Sequence, residues 1–135
     1  MAALTADRET DQKDGILMAY PVKAATKIFK GSLVMLLPAA GYAVPAANTA
    51  TGIVIGVAYE TIDNTLGADG AVNIRVYRKG IFKFAASSIA ITSVGAVMYV
   101  VDDQTIDETD PSNSVTAGKL VLFESATVGW IDLGL

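Results

Sequence analysis

Apolar and polar positions change in short blocks along this chain, and no stretch repeats apolar residues at helical spacing over three turns. Ile16–Val22 reads as a strand that meets Pro21 near its end. Ile28-Phe29 runs into the turn signal Lys30-Gly31; Ser32–Leu37 is an apolar run stopped by Pro38; Gly41–Pro45 is a brief extended piece. Ile53–Tyr59 carries β-branched residues on both faces, which predicts a buried central strand. Gly52 and Gly56 in that run predict a bulge or the close approach of a neighbouring strand. Asn64–Gly70 is a loop. Ala71–Tyr77 then alternates, with Val72, Ile74 and Val76 on one face and Asn73, Arg75 and Tyr77 on the other. Arg78-Lys79-Gly80 turns the chain into Ile81–Phe84, and the two pieces are expected to form a hairpin. Val97–Val101, Lys119–Phe123 and Val128–Leu133 are further strands, with one helical turn at Thr92–Gly95.

About eight to ten short strands at regular spacing predict a mainly β fold, a small antiparallel barrel or sandwich with short helices or none. The 135 residues fit one domain. Residues 1–15 stand apart: Leu4 is their one large aliphatic side chain after Met1, and six charges fall within Asp7–Asp14. That segment cannot dock firmly on a core, so it reads as an extended N-terminal arm, with an inert tail as the alternative, and residues 16–135 as the β-rich domain.

Composition removes much chemistry. Cysteine and histidine are both absent, which excludes disulfides, thiol nucleophiles, Cys/His zinc sites and His-based triads. No phosphate loop, dinucleotide fingerprint or nucleophile elbow is present. The carboxylates Glu60, Asp63, Glu124 and Asp132 are available for acid–base work, but no spacing singles out a pair. Asp102, Asp103, Asp107, Glu108 and Asp110 crowd into one stretch that could offer oxygen ligands to a hard cation, yet the EF-hand glycine is missing. Pro111-Ser112-Asn113 follows, so the stretch is expected to be a solvated loop. The expectation is a non-enzyme without cofactor, metal or small-molecule substrate. Trp130 reads as a core or interface anchor, and Tyr77, Phe82 and Phe84 as alternating between core and surface.

The net charge of −4 argues against nucleic acid as a partner. Its distribution is uneven: −2 over residues 1–15, +4 over 16–90 and −6 over 91–135. Opposite potentials of this kind suit contact between subunits or with a partner. The uncharged stretches Gly31–Tyr59 and Phe84–Val101 are both broken by polar residues and Gly, and the N-terminus turns acidic early. Neither a membrane span nor a secretory signal is expected.

Taken in order and spacing, several pieces resemble the tailed-bacteriophage head decoration, or capsid cement, proteins. They are Gly15-Ile-Leu-Met-Ala-Tyr-Pro-Val, Ile28-Phe-Lys-Gly-Ser-Leu-Val, Gly41-Tyr-Ala-Val-Pro-Ala, Gly52-Ile-Val-Ile-Gly-Val-Ala, Asn73-Ile-Arg-Val-Tyr-Arg-Lys-Gly-Ile-Phe-Lys-Phe and Val97-Met-Tyr-Val-Val-Asp-Asp. Gly52–Phe84 is similar in layout to the lambda-type decoration protein, although the chain lacks that type's Ala/Thr/Pro-rich tail. The resemblance implies a β-tulip fold and a homotrimer on the outer surface of the virion capsid. It implies a protein made in the host cytoplasm that binds the major capsid protein and stabilises the expanded shell against packaged DNA. It further implies an arm that orders on the shell, with Leu4, Thr5, Asp7, Arg8, Glu9, Thr10 and Asp11 as candidate contacts. Arg75, Arg78, Lys79 and Lys83 are the candidate electrostatic face toward a neighbouring subunit or the shell. The alternative is a carbohydrate- or receptor-binding β module of the virion surface.

Overall fold

The β-branched runs become twelve strands, and the computed structural model describes residues 2–10, 13, 15–37 and 40–134 of the chain. Five of the strands form an antiparallel sheet: β1 (Leu17–Pro21), β3 (Leu33–Leu36), β4 (Ala43–Pro45), β5 (Ile53–Ala58) and β7 (Asn73–Tyr77), in the order β1-β7-β5-β3-β4. A short ribbon pairs β2 (Thr26–Ile28) with β6 (Ile62–Asn64). The remaining strands close a five-stranded barrel: β8 (Ile81–Ala86), β9 (Val97–Val100), β10 (Thr105–Asp107), β11 (Thr116–Ser125) and β12 (Val128–Asp132), in the order β10-β8-β12-β11-β9. The only helical element among the described residues is the 3₁₀ turn Ile91–Ser93, close to the turn expected at Thr92–Gly95. The fold is mainly β, as the pattern predicts.

Alternation divides the sheet between two cores. Leu33, Met35, Val54 and Val57 point toward the barrel and pack with Phe84, Met98, Val100, Ile106, Leu120 and Ile131. Val34, Ile55, Ala58, Ile74 and Val76 point the other way and pack with Val22 and Ile28 beneath the β2–β6 ribbon. Strand β5 is therefore buried on both sides. Its alternation is reset in mid-strand: Val34 lies opposite Gly56 and Met35 opposite Val54, which leaves Ile55 as the extra residue of a bulge and turns Val57 toward the barrel and Ala58 toward the other core. Gly56 has φ +151°, and a Cβ there would lie 2.0 Å from the Tyr77 carbonyl oxygen. No other residue fits.

Two sequence expectations need correction. Ala71–Tyr77 and Ile81–Phe84 do not form a hairpin. Strand β7 already has β1 and β5 on its two edges, and β8 pairs with β10 and β12, so neither has an edge free for the other. Arg78-Lys79-Gly80 is instead a corner that carries the chain from the sheet to the barrel, fixed where the Leu133 N–H donates to the Gly80 carbonyl at 3.1 Å. The acidic stretch 102–110 is also not all loop. Thr105–Asp107 forms β10, which runs parallel to β8 and antiparallel to β9 and so closes the barrel, and its Ile106 side chain is fully buried.

The sheet and barrel are tied further through main chain and an amide. The Leu33 N–H donates to the Asp103 carbonyl at 2.8 Å, and Asn48 Nδ2 donates to the Val100 carbonyl at 2.9 Å. Buried Asn64 donates to the carbonyls of Lys23 at 2.9 Å and Ala68 at 3.0 Å, pinning the loop after β6.

Ile106→Ala is expected to lower stability by about 2–5 kcal/mol, because it opens a cavity in a closed core. The exposed Ile91→Ala is expected to stay within about 0.5 kcal/mol of the parent. Urea unfolding of the two variants compares them, and equal small effects would show that residues 102–110 behave as a loop. Gly56→Ala is expected to cost about 3 kcal/mol or to prevent folding, from backbone strain and the carbonyl clash together; its urea midpoint, set against the parent's, checks this.

Candidate interaction surface

The sheet extends past the barrel. On the face of β7 and β1 that continues the barrel-facing side, Asn73, Arg75, Leu17 and Ala19 are exposed. In the angle between this overhang and the barrel wall lies a groove of about 600 Å³, with Val57, Tyr59 and Tyr77 from the sheet, Phe82, Lys83 and Phe84 from β8, and the Lys30-Gly31 turn at one end. Tyr59 and Tyr77 meet edge to face at 5.4 Å, and Tyr77 and Phe82 are tilted at 5.7 Å. Together they make an aromatic ridge from sheet to barrel, a geometry that favours such ring pairs.

The four basic residues expected to share an electrostatic face differ in their freedom. Arg75 is already paired: its Nη2 and Nε donate to Glu60 Oε2 at 2.5 and 3.2 Å, and its guanidinium lies 4.8 Å from the Tyr59 ring centre. The hydrogen bond from Arg75 holds the Glu60 carboxyl below its usual value and raises Arg75 in return. Lys83 lies on the groove wall with its ammonium 5.8 Å from the Trp130 ring, its cross-strand neighbour. Lys79 is exposed at the tip of the corner. Arg78 is half-buried beside it: its backbone N–H donates to the Ile16 carbonyl at 2.8 Å, and its buried Nε has no acceptor among the described residues. Arg78 and Lys79 thus remain as a basic corner where the arm joins the body, with Lys83 on the groove wall.

The arm leaves the body at Ile16. Residues 2–10 are exposed throughout and carry no strand, with Leu4 72% accessible and Thr5, Asp7, Arg8, Glu9 and Thr10 equally unburied. Asp11, also a candidate contact, lies outside the described residues.

The acidic side chains are turn formers. Asp102 accepts from the Gln104 N–H at 2.9 Å and Asp107 from the Thr109 N–H at 3.0 Å, while Glu108 accepts from Ser93 Oγ at 2.7 Å. Asp110 accepts from the backbone and hydroxyl of Ser114, each at 2.9 Å. Burial pushes Asp110 up, but hydrogen bonds, those from Ser114 foremost with others from Asn48 and Ser112, together hold the group below the usual range. Burial, with Asp102 beside it, raises Asp103. No group of three acidic side chains among the described residues is placed to hold a metal ion. Of the other carboxylates, Glu60 belongs to Arg75, Asp63 accepts from Thr65 Oγ1 at 2.7 Å, and Asp132 from the Gly134 N–H at 3.1 Å.

Sequence reasoning missed the aromatic ridge and Lys30. Tyr59 and Tyr77 end adjacent strands, and only the β5–β7 register brings them together. No family model matches the chain, and neither does any curated protein or solved structure.

The Arg75–Glu60 pair carries a pH signature. Its contribution is complete above the ordinary Glu value of 4.5 and is lost as pH falls through the lower folded-state value. The stability difference between the parent and Glu60→Gln, read from urea midpoints, is therefore expected to narrow as pH falls below 4.5. A difference that stays constant with pH would dissociate the pair from folding.

Proposed function

We propose that this protein is a capsid decoration protein, a structural component that binds the outer surface of an assembled, expanded phage shell as a homotrimer and cements neighbouring capsid subunits. The observation that carries this reading is the arm. A charged, fully exposed segment is rooted beside a basic corner on a body made of a closed barrel and a sheet whose central strand β5 is packed on both faces. A body of that kind transmits force without deforming, and an arm of that kind gains order only on a partner. The family resemblance of the strand pieces, which extends over nearly the whole chain, supports the same reading.

The mechanism is mass action. A trimer that spans several capsid subunits binds the assembled lattice and not its separated parts, so it stabilises the lattice. Three linked arms add avidity, gaining about 10²–10⁴ over one arm when all engage together. Arg78, Lys79 and Lys83 face acidic surface on the shell or on a neighbouring subunit, and the partner is the major capsid protein. No catalytic step is involved.

One observation favours a second reading, a virion-surface module that binds carbohydrate or a receptor: the Tyr59–Tyr77–Phe82 ridge lines an open groove with polar groups at its rim. Glycan binding that survives removal of the arm and is lost in Tyr77→Ala would put this reading first.

Sedimentation with expanded, undecorated capsids tests the first reading. The full chain is expected to co-sediment and a chain starting at Gly15 to stay in solution; equal binding would assign the interface to the body. The double variant Arg78→Glu/Lys79→Glu is expected to lower occupancy most at low salt, where exposed charges act over the longest range. Unchanged occupancy would remove the corner from the interface.

A further inference from the structure

The barrel has no edge, but the sheet has two. At β4 the edge is short, ends in Pro45 and is partly covered, because the Lys23 N–H donates to the Ala43 carbonyl at 3.1 Å. At β1 it is open. The Arg78 N–H donates to the Ile16 carbonyl at 2.8 Å, and the Val22 N–H donates to the Val72 carbonyl at 3.0 Å. These two bonds set the phase of the β1–β7 ladder, so even-numbered residues face β7 while Leu17, Ala19 and Pro21 turn their backbone groups outward. Leu17-Met-Ala-Tyr carries no charge, and its register with β7 runs without a bulge. Proteins usually blunt a free edge with a charge, a bulge or a cover. Here Pro21 and the Val22–Ala43 bridge to β4 do so at one end, and among the described residues nothing does at Leu17 and Ala19.

We infer that this edge takes the N-terminal arm of a second copy of the chain as an added strand. Both requirements are unmet in the single chain. Residues 2–10 make no hydrogen bond among the described residues, and the outward groups of Leu17 and Ala19 likewise have none. Charge selects the pairing. The Ile16 end of the edge abuts Arg78 and Lys79, with the Arg78 Nε lacking an acceptor among the described residues, and the arm carries Asp7 and Glu9. Each copy gives one arm and receives one, a head-to-tail contact that closes into a ring. From Ile16 back to Ala3 an extended chain spans about 40 Å, enough to reach a neighbouring copy. The inference concerns the same arm as the cement reading, and an arm seated on a neighbouring copy would reach the shell as part of the ring it closes. Its test needs no capsid, so a negative result leaves the cement reading standing.

The absence of cysteine makes the experiment direct. An unlabelled full chain carrying a nitroxide at Ala3→Cys is mixed with isotope-labelled full chain, and paramagnetic broadening is read on each backbone amide. The Leu17 and Ala19 amides are expected to lose most of their intensity, while amides of the β11–β12 hairpin keep theirs. Ala19→Pro in the labelled chain should abolish the broadening and keep the fold, because its N–H lies outside the β7 ladder. If that variant unfolds, Leu17→Lys blocks the same edge. No broadening in the mixed sample would overturn the inference. Broadening seen only when label and nitroxide share one molecule would overturn it too, since the edge would then belong to the chain's own arm.

Discussion

Two cores share one sheet, and the rest of the molecule depends on that sharing. Strands β3 and β5 present Leu33, Met35, Val54 and Val57 to the barrel while Val34, Ile55 and Ala58 fill the opposite side. A strand with strict alternation and one extra residue would put a side chain on the wrong face from that point onward. The Gly56 bulge absorbs the extra residue where the backbone of Tyr77 comes too close for any Cβ. If the bulge were lost, Val57 and Ala58 would exchange faces, and both cores would fail together.

The arrangement also explains where the surface features lie. The barrel covers only part of the sheet's inner side, so the β7 and β1 strands overhang and leave a groove, an open edge and a basic corner next to one another. The arm joins the body at that same place. Apolar floor, unpaired backbone and positive charge therefore occur together for a topological reason: β7 must end there so that Arg78-Lys79-Gly80 can carry the chain into the barrel. Contact with capsid or with another copy, as proposed, would use surface that the fold had no means of covering itself.

What could be read from the sequence was what depends on local pattern. The alternation of Ala71–Tyr77, the two-sided burial of the strand from Val54 to Ala58 within the expected Ile53–Tyr59, whose end residues are exposed, and the role of Gly56 followed from residue type and spacing. Pairing did not. Arg78-Lys79-Gly80 has the composition of a hairpin turn, and only knowledge that β7 is flanked on both edges excludes that hairpin. Strand β10 was hidden because a single buried side chain, Ile106, lies among carboxylates that serve as turn caps. The loss of Arg75 as a free cation could not be foreseen either, because Glu60 reaches it across neighbouring strands rather than along the chain.

The order in which the barrel strands appear along the chain has a consequence for biosynthesis. Strand β8 finds one partner in β10 and the other in β12, so residues 81–86 leave the ribosome well before either edge can be paired. The sheet can begin to assemble from segments made early, but the side of it that faces the barrel stays uncovered until Val128–Asp132 has emerged. Non-local closure of this kind is slow compared with hairpin formation. During that interval the nascent chain exposes its most apolar strands, which is the state in which chaperones would meet it.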